Sequence, residues 1–226
     1  MKKGFITALF FLFLTTTVSA QYKSFQFGFH VSPNIGWLKP TSDNVERTGS
    51  RMGFDWGFVG EFYFVENYAF STGFNVSFIN TKYEANTRYN LNFATLKRDL
   101  NTQYVEIPLI LKMKTNELGF LRIYAEVGYG LGFRLNAEAT DNIYNESKIK
   151  VDSENHHVKD EVKMTRSALI LGAGVEIPLG GSTFVYGGIR FNNCFSNVLK
   201  DQLIAGENFK YKGISNFLAL KFGLMF

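Results

Sequence analysis

Between Phe25 and Trp37 the odd positions read Phe25, Phe27, Phe29, Val31, Pro33, Ile35 and Trp37, while the even ones read Gln26, Gly28, His30, Ser32, Asn34 and Gly36. Alternation with period 2 gives an extended strand one apolar face and one small or polar face. The rhythm returns over 54–64, 68–78, 104–113, 121–134, 168–179, 185–192 and 218–226. In 121–134, for example, Leu121, Ile123, Ala125, Val127, Tyr129, Leu131 and Phe133 alternate with Arg122, Tyr124, Glu126, Gly128, Gly130, Gly132 and Arg134. Eight strands are therefore predicted.

Two architectures use strands of this kind. A soluble sandwich or lipocalin-type barrel turns its apolar face inward and keeps that face bulky enough to fill a core. Here the non-apolar face is rich in glycine and carries charges of both signs, while the other is uniformly greasy. Lipid offers polar groups no partners, so this asymmetry fits a closed barrel with a polar filling and an apolar exterior. About twelve residues, each rising about 3.3 Å and tilted near 45°, cover the roughly 25 Å apolar band of such barrels. The expected fold is all-β: an eight-stranded antiparallel up-and-down transmembrane β-barrel.

The connections alternate in length. Leu38–Arg51, Asn80–Gln103, Asn136–Arg166 and Asn197–Gly213 read as long polar loops, whereas Val65–Asn67, Thr115–Gly119 and Gly180–Ser182 are short. Outer-membrane barrels place short turns in the periplasm and long loops outside the cell. Both termini then face the periplasm, which an even strand number requires. Most of the charge outside the barrel lies in the third loop. There Ile149, Val151, Asp152 and Glu154 alternate well enough to extend a hairpin beyond the membrane, and this solvated hairpin is preferred over a binding or metal site.

Ahead of the strands, Lys2 and Lys3 precede an apolar run from Phe5 to Val18, and Val18-Ser19-Ala20 supplies the small residues that a signal peptidase reads. Residues 1–20 are expected to be a cleaved signal peptide and 21–226 the barrel domain, exported to the outer membrane. No later run is long enough for a transmembrane helix. The formal net charge is only +4, and Lys2 and Lys3 leave with the signal, which argues against nucleic acid as a partner. Cys194 is the single cysteine, so no internal disulfide framework exists. The 24 Phe and 11 Tyr suit strands, and the 21 Gly suit bends or crowded interior positions.

The inward charges are predicted to be Asp55, Glu61, Glu106, Glu126 and Glu176 with Lys112, Arg122, Arg134, Arg190 and Lys221. An eight-stranded interior is just wide enough for side chains to fill it, so mixed ion pairs are expected, rather than carboxylates paired for acid–base work or a wide channel. His30-x-Ser32 has the spacing found in barrel enzymes that deacylate lipid A. Both residues share parity with Gln26 and Gly28 and point inward, away from lipid, and no acid is assignable to them. His156 and His157, on the third loop, would suit a palmitoyl-transfer barrel only by their position. No catalytic, cofactor-binding or metal-ligating residue is assigned, and no enzyme is expected.

The run Tyr104-Val105-Glu106-Ile107-Pro108-Leu109-Ile110-Leu111-Lys112 resembles a strand of the PorT-like outer-membrane β-barrel family of Bacteroidetes. Ala125–Gly132, Leu171–Glu176 and Tyr186–Phe191 resemble three further strands of that family. The resemblance runs from about Phe25 to Phe226 and implies the barrel. For function it implies only an association with protein export, since most relatives have no assigned role. The terminal pattern Leu218, Leu220, Phe222, Leu224, Phe226 resembles the signal read by the barrel-assembly machinery. The expected function is a non-enzymatic envelope or interaction role through the extracellular loops. The alternatives are a membrane component of a secretion assembly and a lipid A-modifying enzyme. The expected partners are outer-membrane lipid, the assembly machinery, and a secretion or extracellular protein.

Overall fold

The computed structural model describes residues 24–90, 92–204 and 206–226, so the expected signal peptide lies outside the described residues. The strands are β1 (Phe25–Pro40), β2 (Val45–Val65), β3 (Tyr68–Tyr89), β4 (Asn92–Lys114), β5 (Arg122–Asn145), β6 (Lys150–His157), β7 (Thr165–Gly180), β8 (Thr183–Cys194), β9 (Gln202–Ile204), β10 (Glu207–Phe209) and β11 (Gly213–Met225). All pairings are antiparallel. The main sheet runs β4-β3-β2-β1-β11-β8-β7-β5-β6, and β4 also pairs β5. Eight strands therefore have two bonded neighbours each within a set of pairings that returns on itself, and β5 has β6 as a third. Two elements stand outside this cycle: β6 pairs with β5 alone, and β9 with β10 forms a separate hairpin.

The eight predicted segments lie in these strands, apart from the end residues Leu121 and Phe226, and their apolar and polar positions alternate as predicted. Phe29, Trp56, Phe74, Leu109, Ile123, Leu171, Ile189 and Leu220 point out of the cycle and are exposed. The alternate positions point in, and β1 aims His30, Ser32 and Asn34 there, all buried.

The long loops are a correction. Of Asn80–Gln103, all but a tight hairpin turn belongs to β3 and β4, whose ladder runs to Tyr89↔Asn92. Asn90, at φ 48°, supplies the left-handed conformation that such a turn needs. Leu38–Arg51 is strand apart from 41–44. Asn136–Arg166 holds the upper part of β5 and all of β6, which is the extended hairpin preferred for it. Asn197–Gly213 keeps an irregular course, broken by β9 and β10.

The physical reason is a double inversion of polarity. Along β3 the inward positions are small or polar at Ala69, Ser71, Asn75 and Ser77, then turn mostly apolar at Ile79, Tyr83 and Ala85, with Thr81 and Thr87 on the same face. The outward positions are apolar at Phe70, Phe74, Val76 and Phe78, then become polar at Asn80, Lys82, Glu84 and Asn86. Alternation continues without a break while both faces exchange character. On β5 a bulge at Leu135 shifts the register against β4, so that Ala137 and Ala139 continue the inward face.

The core is correspondingly layered. Val59, Tyr124, Phe184, Tyr186 and Met225 cluster toward the short-turn end, and Ile79, Tyr104, Phe217 and Ala219 cluster further along. The projecting end encloses a larger apolar core that includes Leu38, Val45, Tyr83, Leu100, Val158, Leu199, Phe209 and Tyr211. The 195–212 segment lies across that end. Val198 N–H donates to Gly213 O, Lys163 N–H to Val198 O and Lys200 N–H to Glu161 O, while Phe209 and Tyr211 enter the core.

Candidate functional site

Chemistry-bearing side chains gather in two places: inside the lower cycle of strands and at the projecting end. Within the cycle, β4 brings Glu106 inward, opposite Gly132 on β5, and Gly132 stands opposite Arg166 on β7. With no side chain between them, Arg166 Nη1 donates to Glu106 Oε2 at 2.9 Å. Its Nη2 donates to Asn192 Oδ1 at 2.6 Å and to Ser215 O at 3.1 Å. The arrangement recurs one layer away. Glu126 faces Gly172, Gly172 faces Arg190, and Arg190 Nε donates to Glu126 Oε1 at 2.6 Å. A methyl group on Gly172 would stand 2.5 Å from that carboxylate oxygen. Gly172 thereby leaves the gap in which its acid and base, two strands apart, meet, while the Glu106 carboxylate lies against Gly130, where a methyl group would stand 2.9 Å from its Oε2.

A third cluster lies nearer the short turns. Lys112 Nζ sits 2.7 Å from Glu61 Oε1 and 2.5 Å from Glu176 Oε1, and Lys114 Nζ lies 3.7 Å from Glu176 Oε2. Lys112 also lies over the Tyr124 ring and Lys221 over Tyr186, contacts that favour a desolvated cation. All five predicted acids are buried, as are Lys112, Arg190 and Lys221. The other two bases are corrected. Arg122 is half-exposed and paired with Glu117 at 2.5 Å, while Arg134 donates to the carbonyls of Lys159 and Val162 at the cycle's far end. Arg166, read from sequence as the end of a loop, is only 1% exposed and completes the network. Its parity with Ala168 and Ile170 was the signal that could have found it.

His30 and Ser32 are buried and face inward. The structure supplies an acid that was not assignable from sequence: Asp55, directly opposite Ser32, with Oδ1 3.7 Å from His30 Nε2. That separation exceeds a hydrogen bond, and both His30 ring nitrogens lack a hydrogen-bond partner. The group is enclosed and does not meet lipid, as a lipid hydrolase would require. His156 Nε2 lies 3.6 Å from Asp141 and His157 Nδ1 3.6 Å from Glu138, both on β6 at the rim. Cys194 is buried, with its Sγ 3.2 Å from Ser196 O.

At the projecting end one buried cation ties several elements together. Arg98 on β4 donates to Asp141 on β5 through two nitrogens, at 2.7 and 2.5 Å, and also to Glu161 after β6. Glu161 accepts in turn from Gln202 on β9. Burial disfavours the charge on Arg98, yet Tyr83, Asp141 and Glu161 hold its pKa above the usual guanidinium value. Tyr211 O–H donates to Asn86 O at 2.5 Å, and Arg88 pairs with Glu207 at 2.5 Å. At the opposite end a half-open cavity of about 400 Å³ is lined by Tyr63, Asn67, Lys114, Glu117 and Arg122, among others.

No curated protein matches the sequence. Among solved structures, Neisserial surface protein A aligns over 90% of this chain and 96% of its own, at 11% identity and a TM-score of 0.48. Ail, the attachment invasion locus protein of Yersinia pestis, aligns over 89% and 98%, at 12% identity and a TM-score of 0.37. The outer membrane protease OmpT from Escherichia coli aligns over 94% and 99%, at 10% identity and a TM-score of 0.38. At these scores the likenesses assign no function. The family model for the outer membrane protein β-barrel domain matches residues 19–200. With its antiparallel up-and-down strands and greasy outward face, this chain belongs to the outer membrane protein β-barrel domain family.

Proposed function

We propose that the chain is an eight-stranded transmembrane barrel of the outer membrane that works without catalysis, by holding a rigid β-structured platform outside the cell. The observation that carries this reading is the exchange of polarity on both faces at one level of the strands. Below it the outward face suits hydrocarbon; above it the outward face suits water and the inward face makes an apolar core. A strand of 22 residues such as β3 rises about 55 Å at a tilt near 40°, roughly twice the apolar band. The extra length is paired backbone, so the projecting end is an extension of the barrel wall.

The interior supports a scaffold over a pore. Most of its charges are paired in place, Lys112 with Glu61 and Glu176, Arg166 with Glu106 and Arg190 with Glu126, and an apolar core covers the network at the projecting end. Within the family we place the chain among the PorT-like barrels of Bacteroidetes on the Tyr104–Lys112 motif, without carrying over a role in secretion. In this reading the outer-membrane lipid is the partner of the outward face, and β11 is the strand offered to the assembly machinery.

The orientation is tested by introducing Ser153→Cys on β6 and, separately, Asn116→Cys at a short turn, then treating intact cells with a membrane-impermeant maleimide. Labelling at 153 and none at 116 is expected. The opposite pattern, or equal labelling, overturns the reading.

A further inference from the structure

Above the membrane level the wall is no longer a cycle. β7 begins at Thr165, opposite Phe133, and β6 takes its place beside the upper part of β5. β8 ends at Cys194, so nothing continues the sheet past β6. The projecting end is therefore a curved sheet, β6-β5-β4-β3-β2, with β6 as an eight-residue edge.

The ladder shows which backbone groups are unpaired. Val158 N–H donates to Ala137 O, next to the Glu138↔His157 pair. In an antiparallel ladder bonded residues alternate, so Asp152, Glu154 and His156 are bonded to β5. Val151 falls in a bulge between the Ile143↔Asp152 and Tyr144↔Lys150 pairs, while Ser153, Asn155 and His157 aim their N–H and C=O groups away from the sheet. Consistent with this, Ser153 N–H turns to the neighbouring Asp152 Oδ1 at 2.7 Å. Asp152 and Glu154 share one face, both exposed, and Glu154 has no ion-pair partner among the described residues.

We infer that β6 is a docking edge for an extended, basic polypeptide segment, which adds to the sheet as one more strand with Lys or Arg at two alternate positions facing Asp152 and Glu154. This rests on the cell-surface reading above. Free edge groups supply the hydrogen bonds, and the two carboxylates supply the selection. A second copy of the chain is a poorer occupant. Antiparallel pairing of β6 with itself, centred on 152, 153 or 154, opposes acid to acid, which is destabilising.

The test uses the full chain in lipid nanodiscs and a fluorescent seven-residue peptide alternating Lys with Val and Thr, read by anisotropy at low salt. Saturable binding is expected. It should weaken roughly three- to tenfold in the Asp152→Asn/Glu154→Gln variant, and about tenfold or more when alternate peptide amides are N-methylated. Asn155→Pro removes an outward N–H and spares the β5 ladder, so it should lower affinity while the barrel's gel migration stays unchanged. Binding that ignores these changes, no binding by a chain that labels at Ser153→Cys, or sedimentation as a dimer that the peptide does not dissociate overturns the inference alone. Absence of labelling at Ser153→Cys removes the cell-surface reading and this inference with it.

Discussion

Single positions in this protein are governed by which side of the wall they occupy. Leu109 and Val127 face outward and Gly128 faces inward between them. Lys at either outward site is expected to cost about 2–4 kcal/mol of folding free energy near the midplane, measured by urea unfolding in lipid vesicles. Gly128→Ala meets a different obstacle, because a methyl group there falls against the Leu109 carbonyl and 2.7 Å from Ile110 Cα. Its penalty is overpacking and should be equally large in detergent and in lipid. Arg166 poses the converse case. Arg166→Met leaves Glu106, itself 2% exposed, charged and unpaired, at a cost of about 3–5 kcal/mol. Adding Glu106→Gln should recover a substantial part of that loss, since the uncompensated charge is then gone; no recovery would show that packing dominates.

Elements differ in how many neighbours secure them. The eight strands of the cycle are bonded on both sides, whereas β6, β9 and β10 are each bonded on one. The 195–212 segment has only a few backbone bonds, at Val198 and Lys200, and is held besides by side chains, through Glu161 between Arg98 and Gln202 and through the Arg88–Glu207 pair. Replacing Glu161 by Gln should therefore loosen that segment while the wall stays intact. Limited proteolysis is expected to cut within 195–212 several times faster in the variant, with unchanged heat-dependent migration. Equal cleavage rates would place the restraint in the apolar contacts of Phe209 and Tyr211 instead.

Taken whole, the molecule is a wall filled from the half-open cavity at the short-turn end to the apolar core at the projecting end. In planar bilayers the folded chain should show no stepwise conductance, and in detergent it should be β-rich by circular dichroism and migrate differently on gels after boiling. A steady conductance would mean that the Glu106–Arg166 and Glu61–Lys112–Glu176 clusters line water instead of excluding it.

Strand parity was legible from the chain alone, because period 2 is local and hydrocarbon forces one face to be greasy throughout. The five buried acids and most of their partners followed from it. What tertiary structure decided was where that rule stops. Ile79, Tyr83 and Leu100 keep the rhythm of β3 and β4, but their neighbours Asn80, Lys82 and Asp99 look like loop residues until pairing shows both faces exchanged. Arg166 stayed hidden for the same reason, since charge at a segment's edge reads as solvent-exposed. Which glycine separates which acid from which base, and that β6 ends a sheet with one side open, depend on register between strands distant in sequence. No local pattern carries that register.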